Sequence, residues 1–222
     1  MAQFINDYGL LLAEGTLDTL YMSLLSTLFS YVLGVPEGIL LYSTKQGGIL
    51  ENKPFNSAFG WVVNIIRSFP FIILIITLLP LTRLIVGKAI GPTAAIFPLT
   101  IGAAPFVGRM VESSLEEIDK GVIEACRCMG AGTGAIIGVL LTESLPSIIR
   151  GLSITTITLI GYSAIAGAVG AGGLGDIAIR YGYHRRIESV MWASVILIII
   201  IVCALQRVFT LIARKTDKRN IL

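Results

Sequence analysis

The sequence predicts an all-α membrane protein with about five transmembrane helices and one long polar loop between two of them. Hydrophobic residues make up 55% of the 222 residues and charged residues only 14%, whereas soluble domains carry about 25% charged residues. The mean hydropathy is +0.84. A chain of this length has room for about five spans of ~20 residues. Because no polar stretch is long enough for a separate soluble domain, we expect residues 1–222 to form a single transmembrane domain.

Five apolar segments supply the predicted spans, and the second is the hardest to delimit. The spans cover about residues 17–42, 57–81, 90–107, 148–170 and 190–212. In the first span, Gly34 and Pro36 are expected to interrupt the helix. In the second, the strongly apolar residues 69–81 are too few to cross ~30 Å of hydrocarbon at about 1.5 Å per residue. That span must start near residue 57, which places Asn64 and Arg67 inside it, with Arg67 snorkelling toward the cytoplasm.

The distribution of basic residues predicts the orientation of the chain. Of the 17 Lys and Arg residues, 12 lie on one predicted side of the membrane. They occur in the connections after the first and third spans, in the C-terminal tail and at Arg67. The other two connections hold five. Because cytoplasmic connections are enriched in Lys and Arg, Met1 is predicted to lie outside and Leu222 in the cytoplasm. The polar loop 109–150 is then cytoplasmic, and Cys126 and Cys128 within it should be reduced.

The polar loop has the sequence signals of a short helix. Asp119 is suited to cap a helix over 120–129, and Gly130 is suited to end it. Thr133 is suited to cap a second helix that leads to Pro146. The pattern leaves open that the first helix lies on the lipid headgroups as an ordinary amphipathic helix. One face of that helix is predicted to carry Val122, Cys126 and Met129.

The eight residues "EACRCMGA", 124–131, resemble the E-A-A-x-x-x-G signature of ABC importer permeases. The match covers Glu124, Ala125 and Gly130, with Cys126 in place of the second alanine. In that family the signature forms a coupling helix, which docks into a cleft of a cytoplasmic ATPase. The family signature usually continues nine residues later as I-x-L-P, whereas this chain has Leu140-Leu141-Thr142-Glu143 there and a Leu-Pro only at 145–146. The resemblance implies that the ATPase contacts are made by Glu124, Ala125, Arg127, Gly130 and Ala131.

Three longer stretches extend the resemblance to about residues 17–182. "NIIRSFPFIILIITLLPLTRLIVG", "AAIFPLTIGAAPFVGRMVE" and "TLIGYSAIAGAVGAGGLGDI" are similar to the permease subunit of bacterial methionine-uptake ABC transporters. The resemblance implies a type I importer fold in the inner membrane, which moves L- and D-methionine. It also implies the partners: a second copy of the chain, two ATP-binding subunits on the cytoplasmic side, a substrate-binding lipoprotein outside, and membrane lipid.

Two glycine motifs bear on whether the chain itself uses a nucleotide. The sequence has no G-x-x-x-x-G-K-[ST], since Gly87-Lys88 is followed by alanine, so ATP hydrolysis is expected on a separate chain. Residues 170–175 satisfy G-x-G-x-x-G, but the run follows a membrane span rather than a strand. These glycines instead predict a tight re-entrant turn at the outer end of the fourth span. We expect no enzymatic activity, no cofactor, no metal and no nucleic-acid partner.

The fourth span carries the candidate lining of a translocation passage. A polar stripe on this helix is formed by Thr155, Thr158 and Tyr162. Ser163 adds a hydroxyl, Ile165 an apolar constriction, and Gly161 room for two copies to approach. The alternative is that the threonine hydroxyls simply bond back to carbonyls of their own helix. The opposite face, expected to report lipid or helix packing, carries Ile154, Ile157 and Leu159.

Three other functions remain open from the residues alone. A permease of the same architecture could carry another amino acid or small metabolite. An ion-coupled carrier would call for inverted repeats and intramembrane carboxylates, which the sequence does not display. A membrane-embedded enzyme would call for a reactive cluster, and the single histidine, His184, has no companions of metal-ligand spacing and is expected to be solvated.

Overall fold

The computed structural model of the protein describes residues 2–216, and their ordered structure is helical apart from short connections. The predicted positions of Met1 and Leu222 lie outside the described residues. Four helices are long and apolar enough to cross a membrane, namely α1, α4, α6 and α8, and the bent pair of α2 and α3 would make a fifth span. The elements are α1 Ala2–Thr44, α2 Lys53–Ser68, α3 Phe71–Val86, α4 Pro92–Glu116, α5 Lys120–Cys128, α6 Thr133–Gly167, α7 Gly173–Ile177, a π-helix Ala178–His184 and α8 Glu188–Thr216.

Helix α1 is much longer than the predicted first span and is not interrupted. It has 43 residues, about 64 Å at 1.5 Å per residue, and it continues through Gly34 and Pro36. The predicted interruption is wrong, because a proline inside a membrane helix removes one hydrogen bond that neighbouring groups can compensate. The added N-terminal part is held by Leu12, which packs in a buried cluster with Leu174 and Val190.

Helices α1 and α4 run parallel and touch along a line of small residues, which we call the small-residue seam. Each seam position on α1 meets the position 70 residues further along the chain. Hydroxyls of α1 donate to carbonyls of α4 in the first half, and glycines of α1 lie against the α4 backbone in the second. The seam pairs Ser26 with Ile96, Ser30 with Thr100, Gly34 with Ala104, and Gly38 with Gly108. Small residues allow this close backbone approach where lipid supplies no hydrophobic driving force.

The predicted second span, 57–81, is not one helix. Helices α2 and α3 are bent by 102° at Phe69 and Pro70. The cause is local, since Pro70 has no N–H to donate and holds the preceding residue in an extended conformation, with ψ 127° at Phe69. Arg67 therefore lies exposed in the last turn of α2, beside the bend, and not within a straight membrane helix.

The polar loop is shorter than the predicted 109–150, because both neighbouring helices extend into it. Helix α4 continues to Glu116 and α6 begins at Thr133, which leaves residues 117–132 with α5 in the middle. Thr133 is the first helical residue and makes no capping bond, so its predicted capping role is wrong. Helix α6 also runs through Pro146 instead of ending near it. Apolarity marks the membrane part of a helix, and these helices extend beyond that part.

The glycine-rich run after α6 forms the predicted tight turn. Gly170, Gly172 and Gly173 have φ of +90°, +84° and +79°, a region that favours glycine. The turn folds α7 back against the bundle, where Thr19 Oγ1 accepts a 2.9 Å hydrogen bond from Leu174 N. The Cβ of any residue replacing Gly175 would meet the backbone of α6. The glycines therefore serve close backbone packing.

The seam predicts a stability difference between two glycine substitutions. In Gly38→Ala the added Cβ would lie 2.5 Å from the backbone oxygen of Gly108, which cannot move without shifting α4. We expect a loss of about 1–3 kcal/mol and a melting temperature several degrees lower in detergent. The matched control Gly138→Ala adds its Cβ to open space on α6, so it should be neutral or gain up to about 1 kcal/mol. Equal melting temperatures for the two variants would contradict the role of the seam.

Candidate functional site

The short helix α5 begins and ends as its sequence predicts. Asp119 Oδ1 accepts a 2.6 Å hydrogen bond from Gly121 N at the N-cap. At the other end Gly130 has φ +74°. Its N–H donates to Arg127 O at 2.9 Å, and Ala131 N donates to Cys126 O at 3.0 Å. This pair of bonds is a Schellman motif, which requires the left-handed conformation that glycine adopts without strain. The predicted turn at Gly130 is confirmed.

One face of α5 is anchored in the bundle. Cys126 is buried in a cluster with side chains of α4 and α6, and Val122 packs against that cluster. The predicted shared face is therefore found for these two residues, whereas Met129 does not belong to it and is 77% exposed. The reason is that Met129 is the C-cap residue, with φ −81° and ψ 2°, so it no longer follows the helical register.

The opposite face of α5 carries most of the predicted contact residues. Glu124, Ala125, Arg127 and Gly130 are exposed, whereas Ala131 is half-buried against the inner cluster. The exposed set combines one acid, one base and small residues beside the apolar Met129. Such a surface is suited to contact another protein.

A cleft of about 400 Å³ lies between α5 and the turn that follows α1. Glu124 and Arg127 line it on the α5 side. On the other side, Lys45 donates to Glu116 at 2.7 Å and covers the ring of Tyr42. The turn at 45–49 was not identified from the sequence as part of this site. The signal was present in Gly47-Gly48, since Gly47 has φ +74° and allows the chain to fold back toward α5.

The hydroxyls predicted to line a passage on α6 differ in exposure, and two of them are buried. Thr155 is 1% exposed and donates to Gly151 O, and Ser163 is 2% exposed and donates to Ile160 O. These two hydroxyls, and that of Thr158, which donates to Ile154 O at 2.9 Å, are satisfied within their own helix, as the alternative interpretation expects. Tyr162 is half-buried and stacks on Phe71 of α3, with ring centroids 4.3 Å apart.

The outward side of α6 carries a different set of residues, which we call the exposed α6 face. Thr158 is half-exposed and Ile165 is 41% exposed, while Gly161 has no atom within 4 Å of the place where a Cβ would be. Ile154, expected on the opposite side, belongs to this face at 53% exposure, whereas Leu159 is buried as expected. The face consists of Ile154, Thr158, Gly161 and Ile165.

Comparisons with known proteins point to one family. Residues 34–219 match the family model described as binding-protein-dependent transport system inner membrane component. A probable D-methionine transport system permease protein MetI of Vibrio cholerae is 49% identical over 210 residues, which cover 94% of this chain and 93% of the relative. The methionine import system permease protein MetP of Bacillus subtilis is 49% identical over 207 residues and 93% of each chain. A chain of the MetNI methionine ABC transporter in an inward-facing conformation superposes with a TM-score of 0.94 at 47% identity, covering 96% of this chain and 99% of that chain.

Proposed function

This chain belongs to the family of binding-protein-dependent transport system inner membrane components, and on that premise we propose how it works as a methionine permease. It is the multi-pass membrane subunit of an ABC importer that carries methionine across the inner membrane. The observation that carries this conclusion is the match along 96% of the chain to a subunit of the MetNI transporter. ATP hydrolysis belongs to a separate subunit, and the 222 residues contain no P-loop sequence.

Helix α5 is the coupling helix in this proposal. It is short, rigidly capped at both ends and fixed to α4 and α6 through Cys126. Movement of an ATPase bound to its exposed face would therefore move both long helices together. Glu124 and Arg127 present charge to the ATPase, Met129 presents apolar surface, and the cleft beside α5 receives a side chain of that partner.

The assembly comprises two copies of this chain, two ATP-binding subunits at the α5 end and a substrate-binding lipoprotein at the α7 end. The α5 end is cytoplasmic in this proposal, with the N-terminus outside and the C-terminus inside. The excess of Lys and Arg in the connections at that end supports this orientation. Transport would follow alternating access, in which ATP closes the two ATPases and opens the passage outward.

The passage runs between the two copies along the exposed α6 face. Methionine has a flexible apolar side chain and a zwitterionic head, so its route should be mostly apolar with few hydroxyls. Thr158 supplies one hydroxyl, Ile165 an apolar constriction, and Gly161 space for two helices to approach. Tyr162 extends the lining toward α3 through its stack on Phe71. Thr155 and Ser163 support the helix from its buried side.

The orientation predicts the behaviour of a reporter fused after Leu222. A reporter that matures only in the cytoplasm should be active, and one that requires the periplasm should be silent. The measurement is enzyme activity in whole cells at matched expression. The reverse pattern would place α5 outside and would remove the coupling proposal with it.

The coupling proposal predicts unequal effects of valine at two neighbouring glycines. Gly130→Val forces a β-branched residue to φ +74°, which costs about 1–2 kcal/mol, and it should lower transport several-fold by displacing the end of α5. Gly132→Val is the control, because Gly132 has φ −71° and no atom within 4 Å of a Cβ.

Glu124→Ala should leave the protein in the membrane but weaken the coupling of hydrolysis to transport. Uptake of labelled methionine and phosphate release are measured in the same vesicles, and normal values for both Gly130→Val and Glu124→Ala would refute the docking role.

The passage proposal predicts which cysteines meet across two copies of the chain. Cysteine at Gly161 or Ile165 should form cross-links between copies, at a rate that changes when ATP is added. Cysteine at Leu159 should not, because that side chain is 0% exposed within its own subunit. Dimer bands on gels report the cross-links. Equal cross-linking at all three positions, or none at 161 and 165, would place the passage elsewhere.

A further inference from the structure

A cluster of charged and polar side chains lies where α1, α2 and α4 meet. Arg109 of α4 donates to Glu112 Oε2 on its own helix at 2.8 Å. Its other terminal nitrogen reaches α2, where it donates to Gly60 O and to Asn64 Oδ1, both at 3.2 Å. Glu37 of α1 completes the cluster and lies over Gly108. Arg109 therefore ties α2 to α4 with two hydrogen bonds to neutral acceptors.

Two atoms of this cluster are buried without a hydrogen-bond partner. They are Glu37 Oε1 and Arg109 Nε. Three more such side-chain atoms occur in the described residues, and all three are hydroxyl oxygens of serine or threonine. A buried polar atom that lacks a hydrogen-bond partner is more costly when it belongs to a charged group than when it belongs to a hydroxyl. The fold thus leaves an unused acceptor and an unused donor of opposite charge in one place.

Glycines make the space that these two charged groups occupy. The Cβ of any residue at position 108 would lie 2.6 Å from Glu37 Oε1. The Cβ of any residue at position 60 would lie 3.1 Å from Arg109 Nη2. Both charged side chains thus depend on glycine at the neighbouring helix.

Helix α2 is the element of the cluster that is attached least firmly. Only Gly60 and Val63 of its residues are buried. Its first turn is anchored, because Asn56 Nδ2 donates to Leu41 O and Thr44 Oγ1 at 2.7 and 3.0 Å. Its last turn leads into the 102° bend before α3. A rotation of α2 about its anchored end would break the two bonds from Arg109 and little other buried contact.

We propose that Glu37 is the alternative acceptor for Arg109, engaged when α2 moves away from α4 during the transport cycle. In the conformation described here, α2 is docked and Arg109 bonds to Gly60 and Asn64. When α2 leaves, Arg109 loses both neutral acceptors and bonds to the unsatisfied carboxylate oxygen of Glu37. The exchange gives the half-buried guanidinium of Arg109 an acceptor in addition to Glu112 in both states. This inference rests on the proposed function, because it requires a transporter with at least two conformations.

The position of Arg67 on α2 also favours the bond between Glu37 and Arg109 in the released state. In the docked conformation the charges of Arg109 and Arg67 attract the Glu37 carboxylate, and the charge of Glu112 repels it. Because Arg67 belongs to α2, its charge moves away with that helix. The direct bond from Arg109 then replaces the attraction that Glu37 has lost. Glu112 remains bonded to Arg109 throughout, since both lie on α4.

The proposal predicts opposite effects for two substitutions in the same cluster. Glu37→Gln weakens the acceptor of the released state, so α2 should stay docked. Asn64→Ala removes an acceptor of the docked state, so α2 should be released more readily. If Glu37 and Asn64 only filled space between the helices, both substitutions would loosen α2.

The test uses Val63→Cys as a reporter in the complete transporter, because Val63 is 2% exposed in the docked conformation and would become accessible when α2 leaves α4. Labelling by N-ethylmaleimide is followed by peptide mass spectrometry, which separates position 63 from the native cysteines. In the reporter background, ATP should raise the labelling rate several-fold. Glu37→Gln should abolish that rise, and Asn64→Ala should raise the rate before ATP is added. Glu188→Gln, an exposed residue at the first turn of α8, is the matched control and should behave as the reporter alone.

The proposal is overturned if Glu37→Gln labels like the Glu188→Gln control with and without ATP, or if it raises labelling in both conditions. Hydrogen exchange of residues 57–66, with Val63 intact, supplies a second measurement should the reporter itself disturb folding, and it should show the same opposite shifts. Methionine uptake is recorded in parallel. If the transporter takes up no methionine while the labelling differences hold, the assignment of methionine as cargo fails. The exchange of Arg109 between α2 and Glu37 still stands in that case.

Discussion

The close contact between α1 and α4 is the constraint on which the rest of the structure depends. In lipid, apolar side chains gain little by touching one another, so helices associate through backbone proximity and hydrogen bonds. The small-residue seam supplies both, first through Ser26 and Ser30 and then through Gly34 and Gly38. The seam also sets which residues become neighbours further along, because it brings Glu37 over Gly108 and the end of α1 beside α5.

Helix α5 illustrates how a short helix gains rigidity without length. Nine residues form too few turns to be stable alone. Here the N-cap at Asp119 and the Schellman motif at Gly130 satisfy the end groups, and Cys126 anchors the middle in the core. The same residues leave Glu124 and Met129 directed outward. In the proposed function, a helix fixed on one face and chemically mixed on the other would transmit force from the ATPase into α4 and α6.

The polar groups within the helices divide into two kinds. Most hydroxyls bond to a carbonyl one turn earlier in their own helix, as Thr155 does, and so can be buried at little cost. The charged groups at the junction of α1, α2 and α4 cannot be satisfied in this way. Arg109 bonds to Glu112 on its own helix and also takes acceptors from α2, and Arg109 and Glu37 each retain one atom that this conformation leaves without a partner. Charged groups are therefore where alternative conformations can be stabilised.

The sequence by itself determined the helical membrane class, the capped helix α5 with its turn at Gly130, and the close packing of the glycines after α6. These features follow from composition and from local backbone preference, which acts within a few residues. Only the tertiary structure decided the continuity of α1 through Pro36, the 102° bend of α2 against α3, and the division of the α6 hydroxyls between a buried and an exposed side. Helical spacing places Thr155 and Thr158 on one side of α6. It cannot tell which part of that side neighbouring helices cover, because coverage depends on contacts between residues far apart in the chain, such as the seam between α1 and α4.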